Sequence, residues 1–456
     1  MYTNFTISRD EELTEHRLNQ ILNQFQSSDL LIAQKLKRYY EGKQDIFTRE
    51  VPDPSRPWLP TCCNFTHLIT DEFVGVLAGI EPSITGDGTE KINEIFDYND
   101  FHEQMIEFLR QACIYGRSFI CNFVADGKQR LQVLPNSGET CIPVFSDTVE
   151  HELLYVVRMW EDTSNGNLDT QIKYKVEVYG PEDIKYYDST PGFETFVMTN
   201  IVNHFYGQCP ITMLQTNEYS ESVYGQILTL QDAYNSIITD GIDNIRDFSD
   251  AFLIIYGNIA SSDDLTEMKK NRCILLGGED EKVEYLTKNV SDTNMMDMLD
   301  TIEKKIYSVA CCADFGDEVF GNASSGLSLQ FKLLAFEQRC SGIEAQMRKS
   351  IQRIIELCAT LLNLTESAEE KLWVNAEITF TRNIPVDLSS IVQTVTQLRG
   401  LLSTESLIAL LPFVSDPQLE LEKLREEEKN ALDLYPDWEH EHIIAEEDED
   451  ENEDNK

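Results

Sequence analysis

Positive charge is what this chain has least of. Its 456 residues hold 37 Lys plus Arg against 80 Asp plus Glu, a formal net charge of −43. Non-specific nucleic-acid binding depends on Lys and Arg neutralising phosphates, so a surface this acidic disfavours a conventional DNA-binding role and by default stays off anionic membranes. The last residues, 441–456, hold nine acids and one lysine, which leaves −35 on the rest of the chain. That tail is too polar to offset chain entropy and is expected to be disordered.

Other absences narrow the class further. No stretch approaches the length of a membrane span, and residues 1–10 lack a basic region followed by an apolar run, so a soluble, unsecreted protein is expected. Eleven cysteines include the neighbours Cys62 and Cys63 and the neighbours Cys311 and Cys312, but no C-x-x-C pair. Reduced, mostly buried thiols follow, rather than zinc or a disulfide framework. No G-x-x-x-x-G-K-[ST], G-x-S-x-G or H-E-x-x-H occurs, and the seven histidines are scattered. An ATP-driven motor would lack its phosphate cradle, and no catalytic residue, metal or cofactor is assigned.

What the sequence does contain is concentrated in residues 220–358. A first helix carries Ile227, Leu230, Tyr234, Ile238, Ile242, Ile245, Phe248 and Phe252 at steps of three or four, one apolar stripe. Beside it run Asp240, Asp243, Asp247 and Asp250, with Arg246 the one cation among them. That negative face reads either as a solvated helix surface or as a functional wall. Magnesium held by Asp240, Asp243 and Asp247 is the enzymatic alternative, disfavoured because functional carboxylates converge from separate elements. A small αβ insertion follows, with strands expected at 252–256, 273–276 and 282–286 and a short helix at 261–271. A second helix places Met295, Leu299, Ile302, Ile306 and Val309 on a heptad-like seam. Residues 314–326 form a glycine-containing loop, and a very long helix is predicted over 327–362, then a strand over 373–381.

The remainder reads as α+β. Helices are predicted over 11–41 with a break at 26–29, over 63–77 and over 101–115. Between 117 and 206 the period changes, and strands are predicted at 118–124, 131–134, 153–161, 171–179 and 196–204. Turn residues at Ala125-Asp126-Gly127, Ser164-Asn165-Gly166 and Pro191-Gly192 predict an antiparallel, hairpin-rich sheet. Residues 389–434 are mostly helical, broken near Gly400, Pro412 and Pro417.

In this order the segments resemble tailed-bacteriophage portal proteins of the SPP1-like class. The matching residues are Tyr39-Tyr40-Glu41-Gly42 through Ile46; Asn64 through Gly75, Gly79 and Pro82; Ile114-Tyr115-Gly116; Pro210 through Asn217-Glu218; Asp232-Ala233-Tyr234-Asn235 with Thr239-Asp240; Phe248 to Leu253; Ser325-Gly326-Leu327; and Ile384-Pro385. Many relatives have serine where Thr239 stands, and Asn235 is read as a structural polar contact.

The resemblance implies a portal fold: a wing over 1–222, stem helices over 223–251 and 291–313, a clip over 252–290, a tunnel loop over 314–326, a long wing helix and strand over 327–383, and a helical crown over 384–440. It implies no catalysis. It implies a homo-oligomeric ring, commonly of twelve subunits, at a capsid vertex, through which double-stranded DNA is packaged and ejected without sequence-specific binding. Its partners would be the terminase large subunit, the head-tail adaptor, and the major capsid and scaffolding proteins. It would reside in the virion, and in the host cytoplasm during assembly. Asp240, Asp243, Asp247 and Asp250 would line the channel, Asp317, Glu318, Val319, Phe320, Gly321 and Asn322 would belong to the tunnel loop, and Lys269, Lys270 and Arg272 would lie on the clip surface. The competing class is an acidic intracellular ring scaffold or assembly adaptor that conducts no DNA.

Overall fold

The N-terminal helix is interrupted because two serines compete for its backbone carbonyls. The computed structural model describes residues 2–50, 58–162, 173–189, 196–249, 252–256, 282–286, 292–314, 326–365, 372–383, 388–408, 410–411, 414 and 417–434. Helix α1 spans Glu15–Gln24 and α2 spans Leu30–Tyr40, with a π-helical turn at Phe25–Asp29 between them. The hydroxyls of Ser27 and Ser28 both donate to Gln24 O, at 3.0 and 2.9 Å. Such back-bonding loosens a helix, and here it marks the break expected at 26–29. The extra residue turns Asp29 inward, where its carboxylate accepts from Thr3 N at 3.0 Å and Thr3 Oγ1 at 3.0 Å. The start of the chain is thereby tied down beside β1, Phe5–Ile7.

Helix α3 spans Phe65–Ala78, strand β2 Ser83–Thr85, α4 Glu90–Tyr98 and α5 Phe101–Tyr115. The last agrees with the sequence expectation, whereas α4 was not expected. Gly116 stops α5 at φ +84, and a Cβ there would run into the Ser220 carbonyl. Only glycine suits both constraints.

Strands β3 (Arg117–Ala125) and β4 (Lys128–Val133) form a hairpin. Asp126 and Gly127 at its tip both have positive φ, the turn that Ala125-Asp126-Gly127 predicted. A single turn, α6 (Ser137–Thr140), leads to β5 (Cys141–Ser146), β6 (Leu153–Glu161), β7 (Tyr174–Tyr179), β8 (Asp183–Ser189), β9 (Phe196–Asn203) and β10 (Ile211–Gln215). They form two sheets, not one: β1-β5-β6-β7-β8-β9 and β10-β3-β4. All pairs are antiparallel except β1 with β5. The sequence reading missed β5 because Pro143 demotes a strand, and β8 because Asp183, Lys185 and Asp188 break its apolar pattern.

The three larger apolar clusters among the described residues follow from these layers. Leu18, Leu22 and Phe25 pack with Val144, Val157 and Val176 under the larger sheet, while Phe119, Val156 and Ile211 pack between the sheets. The main core joins Phe73 of α3 and Phe108 of α5 to Phe336 and Ile351 of the long helix. Each such fully buried side chain contributes about 1.5–3 kcal/mol.

Helix α7 spans Leu228–Ser249, strands β11 (Phe252–Tyr256) and β12 (Lys282–Leu286) pair antiparallel, and α8 spans Asp292–Ala310. Phe252 therefore belongs to β11 and does not extend the apolar stripe of α7. The expected helix at 261–271 and strand at 273–276 lie outside the described residues. Helix α9, Gly326–Thr365, has 40 residues, a length of about 60 Å at 1.5 Å per residue. The strand expected over 373–381 begins instead as a helical turn, α10 (Leu372–Asn375), and only β13 (Glu377–Thr379) pairs, with β2. Helices α11 (Leu388–Leu398), α12 (Thr404–Ile408) and α13 (Pro417–Leu434) end the described chain. Gly400, at φ +92, separates the first two, and Pro417 opens the third, where its missing N–H costs nothing. The ten cysteines among the described residues are all free. No helix among them is long and apolar enough to cross a membrane.

Candidate functional site

Helices α7 and α8 form an antiparallel pair. Tyr234 OH donates to Glu303 Oε2 at 3.4 Å, and farther along α7 a Cβ on Gly241 would lie 2.6 Å from Met295 Sδ. The absence of a side chain at 241 is what lets the helices approach there. Phe65 wedges edge-on against Tyr234 at 5.0 Å and Tyr307 at 6.0 Å between ring centroids, closing the end of the pair on α3. The α8 seam holds at Ile302 and Ile306, which are buried. Val309, expected on it, is exposed, and Tyr307 and Ala310 are buried instead.

The most buried face of α7 is polar. Gln231, Asn235 and Thr239 are fully buried, whereas Leu230, Ile238 and Ile242 of the expected apolar stripe are only half-buried. The reason is an extended strap, residues 61–65, laid antiparallel along the helix. Gln231 Oε1 accepts from Phe65 N at 3.2 Å, Asn235 Oδ1 from Cys63 N at 2.9 Å, and Thr239 Oγ1 from Thr61 N at 3.1 Å. The match is geometric: four residues of helix rise about 6 Å and two residues of extended chain advance about 6.6 Å. Every second strap amide therefore meets every fourth helix residue. Gln231 Nε2 also donates to Cys63 O and Asn235 Nδ2 to Gln44 Oε1, each at 2.5 Å. Asn235 is structural, as expected from the sequence. The lock as a whole was missed, although polar residues at 231, 235 and 239 share one helical face and a proline-rich segment precedes the strap.

The acidic stripe lies beside that face. Asp240 is half exposed and accepts from Arg49 Nη1 at 3.2 Å. The Arg49 guanidinium sits 5.7 Å from the centre of the Trp58 ring. A cation from another segment thus joins a face in which the sequence offered only Arg246, although an exposed pair of this kind is worth at most about 1 kcal/mol. Asp243 is half-buried. The backbone of Asp247 is helical, its side chain lies outside the described residues, and so does Asp250 altogether. One turn before Asn235, Asp232 accepts from Tyr39 OH at 2.7 and 2.9 Å, and burial raises its pKa. Among the described residues no three His, Cys, Asp or Glu side chains converge to hold a metal ion.

A second polar cluster sits where α8 ends. Cys311 takes a positive φ of 48°, Cys312 N–H returns to Tyr307 O at 3.0 Å, and Cys312 Sγ donates to Glu72 Oε2 of α3 at 2.7 Å. Burial pushes the Glu72 carboxyl up to about 7; the thiol's bond opposes this and Asp314 adds to it. From α9, Arg339 Nη1 donates to Ala310 O, a cation on the C-terminal carbonyls of α8. Glu72 and Arg339 thus fix the point from which residues 314–326 depart. Asp317, Glu318, Val319, Phe320, Gly321 and Asn322, like Lys269, Lys270 and Arg272, lie outside the described residues.

The family model described as phage portal protein, SPP1 Gp6-like, matches residues 26–433. The portal protein of Bacillus phage SPP1 is 23% identical over 416 residues, which cover 87% of this chain and 80% of that one. Two solved structures align at 10% identity over 76% of this chain and 88% of theirs: the neck of an empty gene transfer agent particle computed with C6 symmetry, with a TM-score of 0.44, and the virion of a native gene transfer agent particle, with a TM-score of 0.41.

Proposed function

Because the chain belongs to the SPP1 Gp6-like family of phage portal proteins, a structural and non-enzymatic family, we propose that it forms a closed ring at one vertex of a capsid and conducts double-stranded DNA during packaging and ejection. The observation that carries this reading is the family match, which runs from the π turn of the N-terminal helix to the last described helix, residues 26–433.

In the ring, the α7/α8 pair forms the stem and the β11/β12 insertion the clip. The strap fixes one face of α7, and Asp240 stands exposed on its flank. Duplex DNA carries about one negative charge per 1.7 Å of axis, so a basic wall would hold it and an acidic wall lets it slide. Salt screens this repulsion over about 8 Å, which confines the effect to the narrowest part of the channel. With no nucleotide-binding loop of its own, the ring is the passive conduit of a terminase motor. Docking of that motor on the clip, of a head-tail adaptor below it, and of the capsid and scaffolding proteins around the wing belongs to the same reading, as does a count of twelve subunits and residence in the virion after assembly in the host cytoplasm.

Negative-stain imaging of the purified protein tests it. Rings with a central channel are expected, and a compact monomer at high concentration in the presence of scaffolding protein contradicts it.

A further inference from the structure

Among the described residues, the two edge strands of the six-stranded sheet carry no charge; their protection is a register bulge at Thr199 of β9 and the three-residue length of β1. Edge strands of soluble proteins normally carry charges or prolines, or are covered. On β9, Val197, Met198, Ile201 and Val202 are 44–58% exposed, and Phe205 just beyond it is 75% exposed. Residues 195–217 contain no Asp, Glu, Lys or Arg, in a chain that is 26% charged. Residues 2–8, which hold β1 at the opposite edge, contain none either. The charges sit on the inner strands instead: Arg158 on β6, Lys175 and Glu177 on β7, and Asp183, Lys185 and Asp188 on β8. The usual arrangement is inverted.

Two copies of a chain with a net charge of −43 repel each other, so a contact between copies needs a centre free of carboxylates. A ring contact is also heterologous: it joins two different patches and closes by rotation. This sheet ends on each side in a strand without charged residues of its own, with Arg17 of α1 reaching the β1 edge. On β1, Thr6 is exposed and its carbonyl takes a 3.5 Å bond from Arg17 Nη2. Main-chain groups on an open edge supply affinity, and the apolar side chains beside them supply the buried centre.

We propose that β9 and Phe205 of one copy dock on a second copy of this chain, the next subunit of the ring, whose β1 edge is the counterpart. This rests on the ring reading above. The test is sedimentation velocity and imaging of a Val197→Lys/Ile201→Lys variant and, separately, of Phe205→Asp, against the unsubstituted chain. These side chains are 46–75% exposed, so circular dichroism, and the urea midpoint compared between monomer fractions, should not change. Expected is a fall of about tenfold or more in the ring population. Rings formed as readily as by the unsubstituted chain overturn the proposal. So do variant rings that form normally but fail to enter capsids, which would assign the edge to a capsid protein. An unsubstituted chain that forms no ring overturns the ring reading itself, a result that the unsubstituted sample reports independently of the variants.

Discussion

The side-chain carbonyl of Asn235, in the middle of α7, accepts the backbone amide of Cys63 at 2.9 Å, while its amide donates to Gln44. Gln44 is fully buried and Cys63 half-buried, so the asparagine holds the strap to α7 from inside. Asn235→Ala leaves a buried amide and a buried glutamine oxygen without partners and is expected to cost about 2–4 kcal/mol. Thr239→Ser, which keeps the hydroxyl, should cost under about 1 kcal/mol. Urea denaturation at a fixed protein concentration checks both, since assembly shifts apparent stability. A loss for Asn235→Ala no larger than for Thr239→Ser contradicts the lock.

Gly116 is held at φ +84 against the Ser220 carbonyl. Gly116→Ala adds both backbone strain and a collision with main chain that cannot move aside cheaply. A destabilisation of about 2–4 kcal/mol is expected in the same assay. Gly127→Ala, at a positive φ but in open space, should cost only about 1 kcal/mol.

Glu72 gives stability a pH dependence. Its folded pKa is raised from the ordinary 4.5 to about 7 by burial, so between these values the unfolded chain releases a proton that the folded one keeps. This group's contribution is therefore fully present below pH 4.5 and is lost as pH rises to about 7. Glu72→Gln keeps an oxygen for the Cys312 thiol and cannot ionise. It should match the unsubstituted protein near pH 4.5 and be more stable at pH 8 by about 1–2 kcal/mol, less than the full shift because the carboxyl is partly exposed. Parallel stability curves for the two proteins across this range would refute the assignment.

What was legible in the sequence was local. Helix α5, strand β6, the Asp126-Gly127 turn and the apolar seam of α8 through Ile302 and Ile306 each follow from periodicity or turn chemistry within a short window. The candidate site was not local. Asn235 meets Cys63 across 172 residues, Asp240 meets Arg49 across 191, and Cys312 meets Glu72 across 240. No pattern inside one segment marks such partners. The apolar stripe packs on the main core through Ile227, Leu230, Tyr234 and Ile238, yet the polar face hydrogen-bonded to a distant strap is buried more completely than Leu230 and Ile238, which the stripe did not reveal. The family resemblance supplied the order of the parts but not these bonds.

The acids of α7 carry the central assignment. On the proposed channel reading, lysine at Asp240, Asp243 and Asp247 together would convert a repelling wall into one that binds phosphates, without replacing Gln231, Asn235 or Thr239. The decisive measurement is the amount of DNA packaged into capsids by rings built from that triple variant. Rings indistinguishable from the unsubstituted ones by imaging, with packaged DNA reduced about tenfold or more, are the expected result. Normal packaging by such rings would contradict the placing of this helix at the channel wall.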